Sequence, residues 1–139
     1  LEAGKYRLAL KTPKDQIINV EYTRDKSKKK AAYKKSKAIH LKSDIDSIYT
    51  STEKAARWYK VSVSSTKKRK AVTLSKDSVG GGFKFCVYQK GKRLKTVKVT
   101  KNDKVKTVKL PKKKGAYYVK VTKLTSKTTG AYYLGTYTY

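Results

Sequence analysis

Apolar and polar side chains alternate with a period of two along most of this chain, and this pattern constrains its fold more than any other feature. At residues 58–64, Tyr59, Val61 and Val63 occupy every second position, with lysine and serine between them. Successive side chains of a strand point to opposite faces of a sheet, so each such run buries one face and exposes the other. No segment reads as a βαβ unit. The alternation therefore predicts an all-β protein of antiparallel strands.

Turn-forming residues separate these runs into about eight to ten short strands, which is the spacing of a β-sandwich. We predict a short strand at residues 71–74. The glycines at 80–82 and the pair Lys90 and Gly91 are typical of tight connections between strands. The pattern lapses at residues 26–37, which hold seven lysines, and we predict a short helix near 28–36 followed by an extended piece at 38–41. The predicted core consists of Tyr59, Val61, Val63, Phe83, Phe85, Val87, Tyr117, Val119, Val121 and Leu134.

An internal similarity bears on the domain organisation. Residues 4–11 resemble residues 115–122, and a further strand follows each of them, at 17–23 and 132–138. We predict that residues 1–25 form an N-terminal hairpin and that residues 26–139 form the sandwich domain. The hairpin is either the end of a preceding repeat in a tandem array or a segment whose likeness comes only from chance and shared strand composition. The hairpin either docks on this domain or exchanges with a neighbouring chain to give a homodimer.

The charge of the chain argues against neutral or cationic macromolecules as its main partners. Lysine and arginine total 37 against nine acidic residues, a net charge of +28, where about two to eight charges suffice for solubility. Such an excess repels itself unless anions screen it. Only five of the basic residues are arginine, which favours a diffuse polyanion surface over the readout of bases. The lysines predicted to contact a ligand lie in the later strands: Lys84, Lys95, Lys98, Lys106, Lys109 and Lys120.

Exposed tyrosines are the second signal of binding. The alternation that buries Leu134 turns Tyr133 and Tyr137 outward around Gly135, and it turns Tyr118 outward on the preceding strand. Such rings can stack on sugars, on a collagen-like strand or on bases. The alternative is that they pack beneath a loop or the N-terminal segment.

Several segments of the chain, taken in order, resemble a known family, the bacterial pre-peptidase C-terminal domain. The likeness covers roughly residues 36–139, and its motifs include WYKVSV at 58–63 and GAYYVKV at 115–121. The segments that carry it are 38–39, 44–50, 56–63, 83–88, 110–121 and 130–134. The resemblance implies a jelly-roll-like sandwich appended to secreted proteases and other exported proteins, related to the collagen-binding modules of clostridial collagenases. This chain has Arg57 where the family often has aspartate, which argues against a calcium site.

Residues with catalytic or metal-binding chemistry are scarce. His40 and Cys86 are the only residues of their kinds, and a nucleophilic dyad would need them to meet in space. Asp44 and Asp46 are too few for the six to eight oxygen ligands of calcium. The triglycine lacks the lysine and hydroxyl residue of a phosphate-binding loop. We therefore predict no enzymatic activity, no metal and no cofactor.

The sequence favours a non-catalytic accessory binding module of a secreted or cell-surface bacterial protein. Its predicted partners are anionic polysaccharides, teichoic-acid-like polymers or matrix polymers, bound by the lysines and by Tyr118, Tyr133 and Tyr137. One alternative is a structural spacer in a tandem array without a defined ligand, and another is non-specific nucleic-acid binding. No apolar run approaches the ~20 residues of a spanning helix, so no membrane span is expected.

Overall fold

The computed structural model describes residues 31–42, 45–49 and 55–139, together with Arg7 and Ala9. Within these ranges the chain forms nine strands and one 3-10 turn. The strands are β1 (Ile39–His40), β2 (Ile45–Tyr49), β3 (Arg57–Val63), β4 (Lys70–Gly80), β5 (Phe83–Gln89), β6 (Lys92–Val99), β7 (Val105–Lys109), β8 (Gly115–Lys123) and β9 (Thr129–Thr138).

The strands form two sheets that pack face to face, as predicted. One sheet has five strands in the order β1-β3-β8-β5-β6, and the other has four in the order β2-β9-β4-β7. Every pair is antiparallel except β1 with β3, which run parallel. Among the nine strands that the structure describes, only β5 and β6 are consecutive strands of the same sheet, and each other connection leads to the opposite sheet. This repeated crossing is the jelly-roll form of the β-sandwich.

The core lies between the sheets and contains all ten residues predicted for it. In β3 buried and half-buried residues alternate without a break, because one side of the strand faces the other sheet. Aromatic contacts join the two layers: the hydroxyls of Tyr59 and Tyr132 are hydrogen-bonded, and the rings of Phe83 and Tyr132 lie 5.0 Å apart. The predicted inward face of the sandwich is therefore confirmed.

The short helix predicted near residues 28–36 is wrong for the described part of that range. A single 3-10 turn at Lys35–Lys37 takes its place, and no side chain caps it. The chain before the turn is extended, with φ −117° and ψ 139° at Lys34, and the carbonyl of Ala32 accepts a hydrogen bond of 2.8 Å from the Trp58 amide. Pairing with β3 thus satisfies backbone groups that a helix would have used internally. The extended piece predicted at 38–41 is confirmed by β1.

Strand β4 is longer than the predicted run at 71–74 because it lies inside its sheet, where β9 and β7 pair with its two sides. Its register with β9 shifts between Asp77 and Gly80, which marks a bulge. The glycine turn predicted here then follows: a Cβ atom on Gly82 would lie 2.1 Å from the carbonyl oxygen of Val99, so only glycine fits.

The predicted N-terminal hairpin, residues 1–25, lies outside the described residues except for Arg7 and Ala9. Its docking on the domain or its exchange between chains stays a prediction.

Asp103 organises the turn between β6 and β7. Its carboxylate accepts hydrogen bonds from the amide of Thr100 at 2.9 Å and from the hydroxyl of the same residue at 2.7 Å, and it lies 2.7 Å from the ammonium of Lys106. The bond from Lys106, followed by those from Thr100, holds the pKa of Asp103 well below its usual range. The charged carboxylate therefore stabilises the turn.

Replacing Phe85 with alanine should lower the free energy of unfolding by about 3 to 5 kcal/mol, because the ring is fully buried between the sheets. Leu94→Ala is the matched control, since that side chain is 43% exposed and its loss should cost far less. Chemical denaturation of both variants measures the difference. Equal stability of the two would contradict the sandwich core.

Replacing Asp103 with asparagine should make stability less dependent on acid pH. The folded-state pKa is depressed, so the carboxylate stabilises the protein above its ordinary pKa of 3.8, and this contribution is lost as the pH falls through the folded value. The thermal midpoint of the wild type should therefore exceed that of the variant near neutrality, and the gap should close on acidification. Lys106→Gln, which removes the main cause of the shift, should reduce the gap. A gap of constant size at every pH would show that the carboxylate's charge is not responsible.

Candidate binding surfaces

The outer face of the five-stranded sheet carries lysines and aromatic rings, and we call it the lysine face. Alternation in β3, β5 and β8 turns one side chain in two away from the core, and the strand register sets these residues side by side. Trp58 pairs with Lys120, Lys60 pairs with Tyr118, and that tyrosine in turn pairs with Tyr88. The lysine face consists of Trp58, Lys60, Lys84, Tyr88, Lys98, Tyr118 and Lys120.

Like charges meet directly on the lysine face. Lys84 of β5 and Lys98 of β6 are cross-strand partners, so their Cβ atoms are about 5 Å apart. Two cations opposite each other destabilise a sheet unless an anion lies between them. No acidic residue occurs among the described residues of this face.

Aromatic rings hold some of the ammonium groups in place. The Nζ atom of Lys120 lies 5.5 Å from the ring centroid of Trp58, whose ring is 5.6 Å from that of Tyr88. The Nζ atom of Lys35, in the 3-10 turn, lies 4.7 Å from the ring centroid of Tyr118. Such cation–π contacts contribute about 0.5 to 1 kcal/mol at exposed sites and restrict the motion of each lysine. Burial raises the pKa of the Tyr88 phenol above its ordinary value of 10.0.

The outer face of the four-stranded sheet carries a depression that we call the tyrosine trough. Its volume is about 390 Å³, and Tyr133 and Tyr137 flank Gly135 along β9. Thr73 and Thr107, on β4 and β7, face each other with their hydroxyl oxygens 3.0 Å apart. The residues that line it are Thr73, Ser75, Thr107, Tyr133, Gly135, Thr136 and Tyr137.

The predicted ligand-binding residues therefore divide between two opposite faces. Tyr118, Lys84, Lys98 and Lys120 belong to the lysine face, whereas Tyr133 and Tyr137 belong to the trough. One polymer segment cannot lie across both sets.

The other predicted lysines lie outside both sets. The ammonium of Lys109 is 5.2 Å from the ring centroid of Tyr139, beside the trough, and that of Lys106 is engaged by Asp103. Lys95 lines a separate cleft between β6 and β7. Binding by any of the nine predicted residues stays a prediction.

Sequence reasoning did not include Trp58 and Tyr88 among the site residues, nor the hydroxyl pair of Thr73 and Thr107. The alternation already turned Trp58 and Tyr88 outward, and this signal could have identified them. Their proximity to Lys120 depends on the register of β3, β8 and β5, which no single strand encodes.

The candidate catalytic residues do not meet. His40 lies on β1, where its Nε2 atom is 3.0 Å from the hydroxyl oxygen of Ser62, and Cys86 lies three strands away, about 14 Å across the sheet. Cys86 is buried, and its sulfur lies 3.4 Å from the hydroxyl oxygen of Thr96. A nucleophilic dyad of these two residues is therefore excluded.

Neither a metal centre nor a membrane-spanning helix occurs in the described part of the chain. Residues 31–42 and 55–139 contain no group of three or more histidine, cysteine or acidic side chains that could hold a metal ion. Asp44 lies outside the described residues, as does the side chain of Asp46. Arg57 is 7% exposed, and a buried guanidinium repels a divalent cation. Among the described residues there is no helix of the length and apolarity that crossing a bilayer requires.

Comparison with known proteins identifies the fold. No protein-family model matches this chain, and no curated sequence does. The pre-peptidase C-terminal domain of a collagenase from Bacillus anthracis is similar in structure, with a TM-score of 0.54 and 17% identity over 72% of this chain and 92% of that one. A family 35 carbohydrate-binding module from an environmental isolate matches with a TM-score of 0.42 and 16% identity over 73% of this chain and 82% of that one. The first likeness confirms that the chain has the fold of a pre-peptidase C-terminal domain, as its motifs predicted.

Proposed function

We propose that this chain is a non-catalytic binding module of an exported bacterial protein that engages anionic envelope or matrix polymers through the lysine face. The observation that carries the proposal is the direct opposition of Lys84 and Lys98 on a face without described acidic residues. Lys60 and Lys120 extend the same positive surface across β3 and β8.

The opposed lysines raise the free energy of the unbound protein. Charge repulsion between cross-strand lysines destabilises the sheet, and it is relieved when phosphate, sulfate or carboxylate groups lie between them. A polyanion gains further affinity by releasing its condensed counterions as lysines replace them. The face is therefore suited to ligands with closely spaced negative charges.

The aromatic rings of this face favour a polymer without bases. Lysine ammonium groups lie over Trp58 and Tyr118, so one face of each ring is already occupied. A single-stranded nucleic acid would need such rings free for stacking. Lysine also provides point charges rather than the planar fork with which arginine reads a guanine edge. Anionic glycans and teichoic-acid-like polymers need only the charges.

The fold supports an accessory role outside the cell. The similar domain from Bacillus anthracis is part of a collagenase, and a polymer-binding sandwich appended to an exported protein would hold that protein near the polymer. The non-catalytic role and the extracellular location of this chain are both parts of the proposal.

Removing the opposed lysines should weaken polyanion binding and flatten its salt dependence. For the double variant Lys84→Gln with Lys98→Gln, the slope of log affinity against log salt should fall by about 1.5, because each anionic group that a lysine neutralises contributes ~0.7 to 0.9 to that slope. The probes are dextran sulfate and poly(glycerol phosphate), titrated by calorimetry between about 50 and 200 mM salt. Uncharged dextran reports any binding that does not depend on charge.

The matched control is Lys67→Gln with Lys68→Gln, which removes the same charge from the exposed loop between β3 and β4. That variant should retain most of the wild-type slope of log affinity against log salt. An equal fall of this slope in both variants would favour non-specific polyanion binding instead. Tighter binding of single-stranded DNA than of either probe would favour nucleic-acid binding. No binding of either probe at about 150 mM salt would leave the spacer role.

A further inference from the structure

The tyrosine trough is built from three cross-strand rows that run over β9, β4 and β7. The middle row consists of Gly135, Thr73 and Thr107. Tyr133 belongs to the row on one side and Tyr137 to the row on the other, about 13 Å apart along β9. The absence of a side chain at Gly135 lowers the floor between two aromatic walls, and hydroxyl groups line that floor.

The trough differs from the rest of the surface in its charge. All seven lining residues that the structure describes are uncharged, although the chain carries 37 lysines and arginines. Lys109, which pairs with Ala71 at the edge of this face, holds its ammonium 5.2 Å from the ring centroid of Tyr139. The trough therefore offers an anionic polymer no ammonium group among its lining residues.

The walls of the trough are exposed, and a neighbouring ring supports the Tyr137 wall. The side chains of Tyr133 and Tyr137 are 43% and 47% exposed. The ring of Tyr139 lies 5.7 Å from that of Tyr137 at an angle of 40°, which limits the motion of that wall. The volume of about 390 Å³ lies within the usual range for small-molecule sites.

We propose that the tyrosine trough binds an uncharged saccharide chain, independently of the lysine face. Pyranose rings have apolar C–H faces that pack on tyrosine rings and hydroxyl rims that both donate and accept hydrogen bonds. The Tyr133 and Tyr137 walls match the faces, and the hydroxyls of Thr73 and Thr107 match the rims. Neither the described lining residues nor the proposed ligand carries a charge.

The same chemistry favours a saccharide over a collagen-like triple helix. A proline-rich strand presents carbonyl acceptors but few donors at its surface, because proline has no backbone N–H. The paired threonine hydroxyls supply acceptors as well as donors. A ligand with hydroxyl groups satisfies both functions, whereas a triple helix without hydroxyproline leaves the acceptors unused.

The test is a nuclear magnetic resonance titration of the intact 139-residue chain with cellohexaose and with chitohexaose. At least one of them should shift the amide signals of Gly135, Thr73 and Thr107 and leave those of the lysine face unchanged. The affinity should change by less than about twofold between 50 and 200 mM salt, since no counterions are released. This insensitivity to salt distinguishes binding at the trough from binding at the lysine face, so either proposal can be contradicted while the other stands.

Two variants probe the trough in different ways. Tyr137→Ala removes a wall and should lower the affinity about tenfold. Gly135→Val leaves both walls in place but fills the floor, and it should abolish binding. Gly135 is not among the glycines with positive φ, so valine suits this strand position, and an unchanged thermal midpoint verifies the fold. Tyr33→Ala, which removes a tyrosine that is 52% exposed and does not line the trough, should bind as the wild type does.

Three results would overturn the proposal. The first is that neither hexasaccharide shifts the trough signals at millimolar concentration. The second is that Gly135→Val binds as tightly as the wild type while keeping its thermal midpoint. The third is that a triple-helical Pro-Pro-Gly peptide shifts these signals and the hexasaccharides do not, which would assign the trough to a protein ligand.

Discussion

Contact between the inner faces of the two sheets is the interaction on which both candidate sites depend. The fully buried side chains of Phe83, Phe85, Tyr117 and Tyr132 join the layers and fix the direction of every second residue. Each strand that contributes to this core must turn its remaining side chains outward. The lysine face and the tyrosine trough are thus the outer surfaces of the same packed sandwich, and loss of the core would remove both.

The lysines are arranged differently on the two outer surfaces. On the five-stranded sheet, lysines lie opposite each other or over aromatic rings, as Lys120 does over Trp58. On the four-stranded sheet, the trough between Tyr133 and Tyr137 is uncharged, and Lys109 lies over Tyr139 at its edge. The sandwich therefore separates a charged surface from a neutral one by the thickness of its core. If both proposed sites bind, this separation would let ligands of different chemistry bind without competing.

Much of the fold could be predicted from the chain alone, because alternation is a local property. The inward positions of β3, β5 and β8 followed from period two, and the turn at Gly81 and Gly82 followed from residue type. The predicted helix failed because the backbone near Ala32 pairs with β3, a partner 26 residues away that local propensity does not reveal. The length of strand β4 was underestimated for a similar reason, since pairing with two neighbouring strands extends it beyond residues 71–74.

The sequence by itself determined that the protein is a β-sandwich, that ten alternating residues lie in its core, and that lysines and some of the tyrosines lie on its exterior. Only the tertiary structure decided which of these exterior residues are neighbours. Tyr118 and Tyr133 both point outward, yet they lie on opposite faces, because β8 and β9 belong to different sheets. Thr73 and Thr107 are 34 residues apart and meet across one strand pair. Alternation specifies the face on which each side chain of a strand lies, whereas strand order and register, set by long-range hydrogen bonds and packing, specify which residues share a site.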